Sequence, residues 1–101
     1  MVLLKNENEG IVECIYDSTN VLASKFIIKE RKLAVIFISG KQYVYSDVKY
    51  EDYLKFERDQ SQGKILNSVI KKYVTEKSDK IVDVNVIMEQ IVLIKKNKEN
   101  E

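Results

Sequence analysis

Tyr43 and Tyr45 are, by type and spacing, the side chains of this chain best suited to bind something. They lie in a β-rich segment, and residues two apart on a strand project from the same face, here with Val44 opposite. Two rings on a sheet can hold unpaired bases, and Lys25, Lys29, Arg31, Lys32 and Lys41, near expected strand ends, could then meet phosphates. The same spacing also serves a purely structural end, in which both rings pack beneath helices and their hydroxyls reach the rim. A second candidate is the turn Ser61-Gln-Gly-Lys64. A glycine beside a helix N-terminus exposes N–H groups, so Ser61, Gly63 and Lys64 could hold an anion. The plainer alternative is that Ser61 caps the helix and Gly63 lets two helices turn sharply.

Catalytic chemistry has little to work with. The chain has no histidine, the commonest general base and metal ligand at neutral pH. Its one cysteine, Cys14, falls two residues from both Val12 and Tyr16, which makes it a small buried hydrophobe rather than a nucleophile, and zinc would need several such ligands. No glycine-rich phosphate or dinucleotide motif is present, and Asp52, Glu57 and Asp59 fall where acids are usually solvated. The expectation is a binding module that is not an enzyme, with no catalytic residues, metal or cofactor.

The 101 residues suit one domain with one core. Apolar residues at 45% and charged residues at 33% are ordinary for a globular protein. The longest strictly apolar run, Leu33–Ile38, is far too short to span a bilayer, and the start lacks the basic region of a signal peptide. With a single cysteine as well, the expectation is a cytoplasmic protein without membrane contact. Charge is uneven: residues 1–20 carry one lysine and four acids, while residues 21–80 carry thirteen Lys/Arg against eight Asp/Glu. That middle is mildly basic, less so than most surfaces that grip nucleic acid strongly.

The elements that would position these residues follow from periodicity. Val2–Leu4 and Ile11–Tyr16 flank a polar pause and predict a hairpin; Val21–Ile28 predicts a third strand. Leu33–Ile38 is apolar throughout, as expected of a central strand covered on both faces, and pairs through Ser39-Gly-Lys41 with Gln42–Tyr45. Tyr50, Tyr53 and Leu54 mark a helix, and Leu66, Val69, Ile70 and Tyr73 the face of a second. Thr75–Lys80 reads as a linker. Alternation of Val82, Val84 and Val86 with Asp83 and Asn85 predicts a strand in residues 81–87, with Ile91–Ile94 as its continuation; a helix through Val84, Met88, Ile91 and Lys95 competes with it. Residues 95–101 are expected to fray. The predicted fold is α+β, an antiparallel sheet of about four to six strands with two short consecutive helices on one face.

An ordered set of residues carries a family resemblance. It runs Ser18-Thr-Asn-Val21, Leu33-x-Val-x-Phe37, Gly40, Tyr43-Val-Tyr45, Val48, Tyr53, Ser61-x-Gly63, Asn67, Ile70 and Tyr73. This resembles the KTSC domain, found alone in small bacterial and phage proteins and at the C-terminus of some lysyl-tRNA synthetases. The match covers residues 17–74, leaving 1–16 and 75–101 outside, and Lys49 stands where such domains often have proline. The family carries no settled activity, and the synthetase context implies RNA binding. Two functions are therefore expected to compete. One is an RNA-binding module using the tyrosines and lysines. The other is an accessory or inhibitor module of the phage or mobile-element type, whose apolar flanks dimerise or dock on a protein.

Overall fold

The computed structural model describes residues 1–79 and 82–99. Six strands form one antiparallel sheet in sequence order, a meander of β1 (Val2–Asn8), β2 (Ile11–Tyr16), β3 (Val21–Ile27), β4 (Lys32–Phe37), β5 (Gln42–Tyr45) and β6 (Thr75–Lys77). Helices α1 (Tyr50–Arg58) and α2 (Gln62–Ser68) lie between β5 and β6, and α3 (Val84–Glu99) ends the chain. The α+β class and the sheet with two consecutive helices are as the sequence predicts.

Register assigns the side chains to two faces. Val12, Cys14, Tyr16, Ser24, Phe26, Leu33, Val35, Tyr43 and Tyr45 fall on one, with Val12 opposite Phe26, Phe26 opposite Leu33 and Leu33 opposite Tyr45. Helices α1 and α2 supply Tyr53, Phe56 and Leu66 to the same buried cluster. Its centre is aromatic. The Phe26 ring is fully buried and stacks on Tyr53 at 4.3 Å between centroids, and Tyr16 meets Phe56 edge-on at 5.5 Å. The other face carries Ile15, Ala23, Ala34 and Ile36, and α3 lies over it. Because Ala23 and Ala34 are small, a hollow of about 400 Å³ remains between their strands and Ile87 of α3.

Four expectations fail for identifiable reasons. Thr75–Lys77 is a strand, not a linker: its exposed residues carry no strand pattern, and its backbone is recruited by the open edge of β5, with Tyr43 opposite Lys77. The last segment is helical from Val84, so the strand expected there is overturned from that residue on, while Ile81 lies outside the described residues. The half-buried Val84, Ile87, Ile91 and Ile94 recur at helical spacing, and that burial outweighs β-branched propensity. Residues 95–99, expected to fray, continue this helix, and Lys95 bonds Asp17 at 3.1 Å. The second helix is also shorter than predicted. It ends at Ser68, whose hydroxyl donates to the Lys64 carbonyl, and residues 70–72 tighten into a 3-10 turn.

Glycine positions differ in kind. Gly40 closes the β4–β5 turn at φ +91°, and a Cβ there would stand 3.4 Å from the Val82 carbonyl. Gly63 sits inside α2 without a positive φ, so it is not the sharp helix-to-helix turn expected of it. We expect Gly40→Ala to cost about 1–2 kcal/mol and Gly63→Ala to be neutral or stabilising by up to ~1 kcal/mol, measured by thermal melts.

Candidate functional site

Tyr43 and Tyr45 share a face, and it is the face beneath α1 and α2. Tyr45 is 7% exposed and belongs to the core, and burial, followed by the charge of Tyr43, raises its hydroxyl pKa. A ring so covered cannot stack on a base, so the expected two-ring platform reduces to Tyr43. That ring is half-buried at the rim and meets Phe37 edge-on, at 5.6 Å between centroids and 89° between planes.

Two hollows adjoin this aromatic pair. One, of about 460 Å³, is lined by Asn20, Phe37, Ser39, Lys41 and Tyr43. The other, of about 330 Å³, is lined by Phe37, Tyr43, Leu66, Asn67 and Lys71. Together they make a shallow groove along the sheet's β4–β5 end and the flank of α2. Each half carries an exposed lysine and an exposed side-chain amide around a shared aromatic floor. The backbone holds the groove's upper wall. The Ser18 hydroxyl accepts from the N–H groups of Asn20 and Val21 at 3.3 and 3.2 Å, and Ile38 N–H donates to the Asn20 carbonyl at 2.9 Å. Helix α2 passes beside this wall, where a Cβ at Gly63 would make ordinary contact with the Asn20 amide nitrogen at 3.7 Å.

The remaining candidates scatter. Lys25 is exposed on the opposite face, over the hollow beneath α3. Lys29 and Arg31 lie in the β3–β4 turn, with Lys32 opening β4, at the end of the sheet away from Lys41. Arg31 takes φ +54° and faces Asp47 across 3.8 Å, an exposed pair of small energetic weight. Ser61 caps α2 by accepting from Lys64 N–H at 3.4 Å, the plainer of its two expected roles, and α2 has only seven residues. Of the site residues singled out in the sequence, Tyr43 and Lys41 come together in the groove, and the largely covered Tyr45 reaches its second hollow. Phe37, Asn20, Asn67 and Lys71 join them. Three of these belong to the family pattern, while Lys71 had no signal beyond lying off an apolar stripe.

The other polar groups of this face are structural. Cys14 is 2% exposed, its sulfur 3.8 Å from the Tyr53 hydroxyl, and burial raises its thiol pKa and keeps it protonated. Tyr16 bonds Ser24 at 2.7 Å, and burial pushes the Tyr16 and Tyr53 hydroxyls strongly upward. Glu57 is 4% exposed and pairs with Lys5 at 2.7 Å. Gln62, wholly buried, donates to the carbonyls of Phe56, Glu57 and Asp59 and so closes the end of α1.

Asp52 ties α1 to the 3-10 turn. It accepts from the Tyr73 hydroxyl and pairs with Lys72 at 3.1 Å and Lys55 at 3.7 Å. The Tyr73 bond foremost, then Lys72, holds its carboxyl below the usual range despite burial. A carboxyl with a depressed folded pKa stabilises above its unfolded pKa, near 4, and loses that contribution as pH falls through the folded value. We therefore expect Asp52→Asn to lower stability by about 1–2 kcal/mol at pH 7. In urea denaturation across pH, the gap from wild type should close below about pH 4.

An antiparallel meander roofed by two consecutive helices, with an aromatic and amide groove at one end, defines a small α+β domain. A protein-family comparison matches residues 17–73 to the KTSC domain, and the chain belongs to that family. The crystal structure of a KTSC domain protein from Yersinia pestis has a similar fold, with a TM-score of 0.63 over 67% of this chain and 97% of that one, at 23% identity. No curated protein matches the chain. Among the described residues, no helix is long and apolar enough to cross a membrane.

Proposed function

We propose that this chain is a non-enzymatic module that binds single-stranded RNA in the groove around Phe37 and Tyr43. The observation that carries the reading is the composition of that groove. A half-buried aromatic pair lies between Lys41 and Lys71, with the amides of Asn20 and Asn67 beside it. A splayed base needs a π surface, a donor and acceptor for its edge, and cations for the flanking phosphates, and the groove offers all three. Its size suits one or two nucleotides rather than a duplex. The occurrence of the family at the end of some lysyl-tRNA synthetases favours RNA over other anions.

Fluorescence anisotropy with a labelled single-stranded RNA tests the reading. Affinity should fall as salt is raised, with a log–log slope of about −1.4 for two phosphate contacts. Absence of binding to mixed-sequence RNA even at about 20 mM salt, where electrostatic attraction is least screened, would remove the proposal. The competing reading, a protein-docking module, draws its support from the far side of the molecule, where α3 turns apolar residues outward.

A further inference from the structure

Helix α3 is apolar on two sides. Val84, Ile87, Ile91 and Ile94 are half-buried toward the sheet. On the outer side Val86, Val92 and Leu93 are 57%, 63% and 60% exposed, and Met88 is 36% exposed. A stable helix with only one partner ordinarily keeps its outer face polar, so four large apolar side chains there form a surface built to be covered.

The charges on that outer side identify the cover. Glu89 and Lys96, both exposed, lie seven residues apart, two turns of one face, with Val92 and Leu93 at the midpoint. A two-fold axis between Val92 and Leu93 sets an antiparallel second helix with Val92 against Leu93 and Glu89 against Lys96, twice over. Parallel pairing would instead put Glu89 on Glu89 and Lys96 on Lys96. A pattern complementary to its own reversal is the signature of an isologous contact.

We propose that α3 is a self-association surface, through which two copies pair antiparallel across Val92 and Leu93 with reciprocal Glu89–Lys96 contacts. The proposal does not depend on the RNA reading. The Phe37–Tyr43 groove opens on the opposite face of the sheet, so the pair presents two grooves pointing away from each other. One helix per copy is a small interface, and the dissociation constant should lie roughly in the range 10–100 µM.

Sedimentation equilibrium between about 1 µM and 1 mM reads it directly, spanning that range on both sides. The wild type should pass from monomer to dimer. Val92→Glu should remain monomeric while keeping its far-UV circular dichroism. Glu89→Lys alone and Lys96→Glu alone should each weaken pairing at least fivefold. Mixing these two variants should restore it, because every charge then meets its opposite. The double variant Glu89→Lys/Lys96→Glu should pair like wild type, because it only exchanges the two ends of each contact, whereas parallel helices, with like charges facing in every variant, would not show the loss in the single variants. A wild type that stays monomeric at 1 mM, a dimer untouched by Val92→Glu, or a mixture that pairs no better than its components would each overturn the proposal.

Discussion

Phe26→Ala should destabilise the domain by about 3–5 kcal/mol and bring it close to unfolding at 37 °C. Phe26 has no exposed surface and sits on the central strand β3, where its ring stacks on Tyr53 at 4.3 Å and parallels Tyr50 at 6.1 Å. Truncation removes the transfer energy of a whole ring and leaves a cavity between sheet and α1. The stack adds about 0.5–1.5 kcal/mol beyond burial. A domain of this length has about 5–15 kcal/mol in total, so one side chain accounts for a large share of it. Phe26→Leu, which keeps most of the volume, should cost less than half as much. Urea denaturation checks both. A loss below about 1 kcal/mol for the alanine variant would mean that α1 does not rest on β3 as described.

The second large effect is on binding, and it divides into two kinds. Tyr43→Leu keeps the apolar bulk against Phe37 but removes the π surface. It should weaken RNA binding by about 1–3 kcal/mol, five- to 150-fold, and leave the salt slope unchanged. Lys41→Ala and Lys71→Ala should each reduce the slope by about 0.7 and weaken binding most at low salt. Lys29→Ala, at the far end of the sheet, and Lys25→Ala, on the opposite face, serve as controls that should leave the slope as it is. If all four lysine variants lower the slope equally, binding is diffuse and the groove has no special part in it.

What could be read from the sequence depended on how local its cause is. The β4–β5 hairpin was legible because Gly40 supplies a backbone conformation that other residues resist, and two β-rich runs flank the short turn and pair in register. The shared face of Tyr43 and Tyr45 was legible from the strand period, and packing beneath helices was one of its two readings, but the choice between them was not. That depends on the way α1 and α2 fold back, a long-range fact. Strand β6 was invisible because Thr75, Glu76 and Lys77 are all exposed, and only the edge of β5 makes them a strand. Helix α3 was misread because Val82, Val84 and Val86 mimic alternation, while the stripe that governs it, Val84 to Ile94, declares itself only against a sheet. The groove was half legible. Phe37 was hidden in an apolar run, and Lys71 looked like any solvated helix lysine until α2 brought it beside Tyr43.

Amide chemical-shift mapping with a short single-stranded RNA addresses the binding site itself. We predict that shifts concentrate at Asn20, Phe37, Lys41, Tyr43, Asn67 and Lys71, residues far apart in sequence that only the fold assembles. Shifts confined to the Lys29–Lys32 turn or to α3, with the groove unmoved, would contradict it.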